Sequence, residues 1–325
     1  SDFAETGGSF NFYMFHGGTN FAFTNGANYS TKYEPTVTSY DYNAPLNEAG
    51  DRTETYWRIR EILTKKYGGE TEITACDSEK AAYGEIALTQ SASLFDNLYN
   101  ISSPIESPDA KYMEDIGQDF GYTLYRTTLS GPSDGWGLEI EKVHDRAHVF
   151  LDGELKGIVE RWDKKSLGLG VPLGKGESAK LDILCENMGR VNYGNKIRDK
   201  KGIHGVRFGM QYHFGWDIFP LTMESLDRLE FADADAPISG PAFYRGELVI
   251  KGSPKDTFIR LDGFTKGFVS VNGKNIGRYF NPAGPQKTLY VPAPFLCEGA
   301  NEIIVFESDK TDKLSVMFTD TPELG

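Results

Sequence analysis

Hydrophobic and polar positions change their rhythm twice along this chain. From Phe10 to Phe15 ("FNFYMF") every residue except Asn11 is apolar or aromatic, the pattern of a strand buried on both faces in a parallel sheet. Residues 16 to 50 follow as a long loop rich in Gly, Asn, Thr and Tyr. A helix is then predicted over 51–67: Asp51 and Glu54 have the spacing of a capping box, Tyr56, Ile59, Ile62, Leu63 and Tyr67 recur at helical intervals, and Gly68-Gly69 ends the run. One strand, one loop and one helix make a single βα unit.

Beyond Glu72 the rhythm shortens to alternating runs cut by Gly, Pro, Asn and Asp, among them "GEIALTQ", "GYTLYRTTL", "AHVFLDGE", "GELVIKG" and "NEIIVFES". Turn signals roughly every 10 residues predict an antiparallel all-β region. Within it, "HVFLDGELKG" at 148–157 is echoed by "FVSVNGKNIG" at 268–277: Val149/Val269, Gly153/Gly273 and Gly157/Gly277 coincide at one offset, as do Val171-Pro172 and Val291-Pro292. Two related β-domains follow from the echo, each with a hairpin turning on Asp-Gly or Asn-Gly.

Composition narrows the function. The net charge of -13 over 325 residues, with no basic run, repels phosphate backbones and argues against nucleic acid as a partner. No apolar stretch has the roughly 18 residues of a membrane-spanning helix. Cys76, Cys185 and Cys297 are too few and scattered for a disulfide framework or a zinc site, and Cys185 in "LDILCEN" reads as a buried free thiol. No cofactor motif is present: "GKGES" and "GWG" are turn glycines without the strand-to-helix setting that phosphate binding needs. The first residues, "SDFAETGGS", lack the basic stretch and apolar core of a signal peptide, which leaves the compartment of any parent protein unknown.

Several side chains admit two readings. Glu34, Asp41, Glu48 and Asp51 could supply an acid/base pair, or else fasten the loop and cap the helix. His16 has no metal-ligand spacing to His144, His148, His204 or His213 and reads as a hydrogen-bonded structural histidine, so no metal is expected. Arg278, Tyr279 and Asn281 in "GRYFNPAG" can stack on and bond a sugar or secure a domain interface.

The segments "NFYMFHGGTNFAFTNGAN" and "TSYDYNAPLNEAGD", with "DILCENMGRVNYG", "GWDIFPL" and "VSVNGKNIGRYFN" further on, resemble glycoside hydrolase family 35, the β-galactosidases, in the family's order from residue 10 to about 308. The resemblance implies a mainly β chain: two jelly-roll β-sandwich domains preceded by the last βα unit of a (β/α)8 barrel. It implies three parts, with 1–70 as the barrel's end, 111–213 as an inserted sandwich, and 76–110 plus 214–325 as a discontinuous galactose-binding-like one. The family cleaves β-galactosides with retention through two glutamates on earlier barrel strands, so none of the residues here is expected to be catalytic. By the same resemblance Tyr13 and Tyr42 are positions that hydrogen-bond galactose, whereas on their residue types alone the stronger reading is that both are core tyrosines. Where the family often has Asp after the second Tyr, this chain has Asn43.

The function so implied is the carboxyl-terminal part of a retaining β-galactosidase; the alternative is a non-catalytic carbohydrate-binding or interaction module from a truncated gene. The expected partners are galactose or a β-galactoside and, because a lone parallel strand leaves backbone groups unpaired, an amino-terminal barrel segment or a second copy of the chain. Without such cover, residues 1 to 50 are expected to be mobile.

Overall fold

A computed structural model describes residues 2–69, 76–135, 137–163, 166–169 and 172–325. The alternating runs form strands. A six-stranded sheet and a four-stranded sheet, built from strands between Ile105 and Leu221, enclose one core that includes Tyr125, Val149, Ile183 and Trp216. Strands between Gly84–Ser93 and Ser315–Thr319 make a nine-stranded sheet around a second core, with Leu248, Ile259, Val269 and Val305 inside. Cys185 is fully buried, and burial pushes its thiol well above the ordinary range.

The strand pairing moves two expected edges. Trp216–Leu221, expected in the last sandwich, pairs antiparallel with Tyr122–Ser130 and with Ile105–Ser107, so these residues belong to the six-stranded sheet. Ile105–Ser107 thereby also leaves the discontinuous last sandwich for the inserted one's six-stranded sheet. The reason lies in Trp216 and Ile218, whose side chains complete that sheet's core. By contrast Gly84–Ser93 pairs with Ala242–Ile250 and Ser315–Thr319, as a discontinuous domain requires.

The repeated sequence is a repeated structure. Arg146–Leu151 pairs with Glu154–Glu160, and Lys266–Val271 pairs with Lys274–Phe280, with Val149 opposite Gly157 and Val269 opposite Gly277. In each hairpin the register slips immediately after that valine. Each turn carries two left-handed residues, Asp152 and Gly153 (φ 50° and 83°) or Asn272 and Gly273 (φ 49° and 75°), the conformation that Asp-Gly and Asn-Gly adopt most cheaply. Of the second match, Val171 lies outside the described residues.

The two sandwiches meet on a third apolar cluster, in which Tyr122, Phe150 and Phe219 face Phe243, Phe268 and Phe306. Phe23, from the long initial loop, completes it by packing edge-on against Phe268 and Tyr122. Such a ring contributes about 1.5–3 kcal/mol of burial. The loop is clamped further by Gly26–Tyr29, which pairs with Arg190–Val191 on one side and Tyr33–Pro35 on the other. Residues 23–39 are therefore anchored on the chain's own β-domains through buried Phe23, Asn25, Ala27, Tyr33, Thr38 and Ser39, a support that the expectation for 1–50 left out.

Two further expectations fail. Residues 10–15 form no strand and lie largely exposed, since a strand with no neighbour cannot satisfy its backbone. The helix is Glu54–Tyr67, with Gly68 at its carboxyl end as expected, but its N-cap is Thr53, whose hydroxyl accepts from the Tyr56 N–H at 3.4 Å. Asp51 instead ties Asn47 to Ser78 and pairs with Lys80. None of the helix's residues is buried, although its apolar stripe is intact.

Candidate functional site

Two stretches of the initial loop run side by side. Gly17 N–H donates to the Leu46 carbonyl and Leu46 N–H to the Phe15 carbonyl, both at 2.9 Å; further on, Tyr40 N–H reaches the Gly18 carbonyl at 3.0 Å and Asn20 N–H the Thr38 carbonyl at 2.8 Å. The approach depends on glycine. A Cβ at residue 17 would stand 2.7 Å from the Asp41 Cα and 2.9 Å from the Tyr40 carbonyl oxygen, inside any tolerable contact. The "HGG" of the sequence thus brings the segment after Tyr13 against the segment that carries Tyr42.

The consequence is a tyrosine cluster. Tyr13 and Tyr42 are 88% and 68% exposed, so neither is a core tyrosine. Between them stands Tyr40, whose ring lies 4.5 Å from that of Tyr42 and whose hydroxyl neighbours that of Tyr13. Desolvation, followed by the neighbouring phenols of Tyr13 and Tyr42, raises the Tyr40 hydroxyl above its ordinary range. A phenolic hydroxyl can both donate and accept. Tyr40 was missing from the sequence reading, although its place two residues before Tyr42 in "YDY" is a usable signal.

Tyr42 and Asn43 both hold left-handed backbone, with φ of 48° and 55°. For tyrosine this is strained, and such strain gathers where surrounding structure imposes it, often at functional sites. Asn43 suits its conformation better than most residues, and its N–H donates to Asp41 Oδ1 at 3.1 Å in a local turn. Asp41 therefore fastens the loop.

The other carboxylates are spoken for in the same way. Asp51 is ion-paired with Lys80; burial pushes its carboxyl up, but the Lys80 and Asn47 hydrogen bonds outweigh that and hold it below the usual range. Glu34 is exposed and lies 3.5 Å from Lys32. Glu48 is buried at 7% exposure, its Oε1 accepting from Thr19 Oγ1 at 2.7 Å. His16 Nε2 donates to the Glu48 carbonyl at 3.3 Å, the structural role expected of it. Among the described residues no three His, Cys, Asp or Glu side chains gather as a metal site.

Around the tyrosines the surface is apolar. Phe10, Phe12 and Phe15 are exposed, and two open hollows of about 310 and 470 Å3 lie beside Phe12, walled by Ile59 and Leu63 of the helix. At the far end of the chain, the residues considered for a second sugar site are engaged in the fold. Arg278 is buried against Asn25 and the Asn187 carbonyl, Tyr279 donates to the Phe306 carbonyl at 2.8 Å, and Asn281 Nδ2 donates to Leu261 and Phe264 carbonyls. Arg278 secures an interface, and Tyr279 and Asn281 secure the fold of their own domain.

Comparison with known proteins places these features in context. Residues 1–66 match the model for glycosyl hydrolases family 35, residues 111–222 that of the first all-β domain of β-galactosidase, and residues 241–301 that of its galactose-binding domain. The chain is 39% identical to human β-galactosidase-1-like protein 2 over all of its own length and 52% of that protein. It is 41% identical to bovine β-galactosidase (94% of this chain, 50% of that protein) and 38% identical to β-galactosidase 17 of Arabidopsis thaliana (92% and 48%). It spans about half the length of the curated relatives it matches.

Proposed function

Because the chain belongs to glycosyl hydrolase family 35, we propose that it is the carboxyl-terminal part of a retaining β-galactosidase, in which Tyr13 and Tyr42 hold the galactosyl unit of the substrate. The observation that carries this reading is the convergence of exposed Tyr13 and Tyr42 on half-buried Tyr40, with strained backbone at Tyr42, within the segment that matches the hydrolase model. Phenols so placed can bond sugar hydroxyls while their rings pack on the sugar's C–H face. Galactose or a β-galactoside is the ligand, and the galactose-binding domain match supports the same ligand class.

Retaining hydrolysis needs an acid/base and a nucleophile about 5 Å apart. The carboxylates near the tyrosines are engaged: Asp41 in its turn, Asp51 with Lys80, Glu48 buried with Thr19. We assign the catalytic pair to barrel strands outside these 325 residues. The apolar hollows beside Phe12 and the unburied helix stripe are where those strands would pack, on the same polypeptide or a separate one. The division of the β-region follows: an inserted sandwich and a discontinuous last one brace this end of the barrel.

The test is hydrolysis of an aryl β-galactoside. This chain alone gives no turnover; joined to an amino-terminal barrel it does, and Tyr13→Phe or Tyr42→Phe then raises KM about fivefold, the value of one hydrogen bond of about 1 kcal/mol. Turnover by the chain alone would sink the assignment of catalysis elsewhere, as would unchanged KM in both variants for the tyrosines. The reading of this chain as a self-contained sugar-binding module finds no support at 272–281, where the candidate side chains are structural.

A further inference from the structure

Glu48 stands where the segments that shape the tyrosine cluster meet. Its Oε1 accepts from Thr19, which follows His16, Gly17 and Gly18 out of the Tyr13 segment and forms an antiparallel bridge with Ser39, immediately before Tyr40. Its backbone carbonyl accepts from His16. Oε2 is buried without a hydrogen-bond partner. A single side chain thus supports the point where the two stretches that carry the three phenols meet. We propose that Glu48 is a positioning residue of the sugar pocket, setting the separation of Tyr13 from Tyr40 and Tyr42 through Thr19 and Ser39. Its functional meaning rests on the galactose reading above; its structural claim does not.

The surroundings say in which form Glu48 does this. Asp41 faces it from its own loop, and the influence of both Glu48 and Asp51 reaches Tyr290 of the last sandwich, whose hydroxyl donates to Asp256 at 2.8 Å. Lys80 and Arg52, the cations of this region, are paired with Asp51 and Asp77, and the His16 ring is turned to a carbonyl. Among the described residues no cation reaches Glu48, so a charge there would be buried among carboxylates with one oxygen orphaned, which is costly. Burial pushes the carboxyl up to about 7; Thr19 and Ser39 pull the other way, and Asp41 adds to the rise. The acid is therefore uncharged below that value. Because the folded group titrates above its unfolded counterpart, its contribution is intact in acid and is lost as pH rises from about 4.5 through 7.

The experiment uses this chain with its tyrosine rings carbon-13 labelled, resonances assigned by single Tyr→Phe replacements, and pH varied from 5 to 8.5. In the wild type, Tyr13, Tyr40 and Tyr42 shift together with a midpoint near 7. Glu48→Gln cannot ionise yet keeps an oxygen for Thr19, and its rings hold still across the range; Glu48→Ala displaces them at every pH. Rings that ignore pH in the wild type, or that still titrate in Glu48→Gln, overturn the proposal. A parallel titration with galactose, on the chain joined to the amino-terminal barrel, separates the two claims. Affinity read from these rings falls about tenfold per pH unit above 7 in the wild type and stays constant in Glu48→Gln. Rings untouched by galactose at any pH refute the sugar reading alone, and galactose binding with the same pH dependence in both proteins refutes Glu48 alone.

Discussion

At the scale of single residues, the pocket is set by what Gly17 lacks. Its missing Cβ lets the Tyr40 and Asp41 backbone lie against it, and backbone cannot swing aside as a side-chain tip can. Gly17→Ala should cost about 1–3 kcal/mol, the usual range for overpacking. It should also part the two stretches of loop, so that the ring contact of Tyr40 with Tyr42 survives while the link from Tyr40 to Tyr13 does not. Denaturant melting reads the first effect and ring-to-ring nuclear Overhauser contacts the second. An alanine variant with wild-type stability would show that the loop has room that the geometry denies it.

At the scale of elements, the helix Glu54–Tyr67 shows which local signals decide. Thr53→Ala removes the cap that holds the Tyr56 N–H and should cost about 1 kcal/mol of helix stability, seen as faster amide exchange in the first turn. Asp51→Ala should leave that turn alone and loosen Ser78 instead. If exchange shows the reverse, the cap is misassigned. Both residues are good caps, so sequence alone could not choose between them; the choice is made by Lys80 and Ser78, nearly thirty positions away. The same limit explains residues 10–15, whose composition is that of a buried strand but whose neighbours are absent from the described fold. Where pattern and partner are both local, as in the two hairpins turning on Asp152-Gly153 and Asn272-Gly273, the chain could be read directly. Glu48 could not, since its importance depends on Thr19, 29 residues earlier.

At the scale of the whole molecule, buried charges join the parts. Arg146 of the inserted sandwich makes a two-pronged pair with Asp309 of the last one, both contacts at 2.7 Å, and His148 adds a third to the same carboxylate at 2.6 Å. Lys266 reaches Glu186 at 3.0 Å across the same seam. Burial alone would raise the Asp309 carboxyl, but the hydrogen bonds from His148 and Arg146 outweigh it and hold it well below the usual carboxylate range. Its stabilisation is therefore complete above about pH 4, the unfolded value, and fades only as acid is carried below that. Asp309→Ala should cost about 3–5 kcal/mol because it breaks both prongs of a buried pair and leaves Arg146 with Glu160 alone, whereas replacing Arg146 and Asp309 together by apolar residues should cost less. Equal losses in the single and double variants would remove the ion pair as the cause.

The initial loop is held at this seam by contacts of very long reach: Tyr33 bonds Asp145 across 112 positions, and Asn25 meets Arg278 across 253. A polypeptide leaves the ribosome at roughly 5–20 residues per second, so the loop waits on the order of ten to fifty seconds for its last support. The tyrosine cluster is thus made well before its last support and is set only after it. Nascent chains halted before Arg278 should leave residues 19–39 open to protease, and chains released after the final sandwich has closed should not.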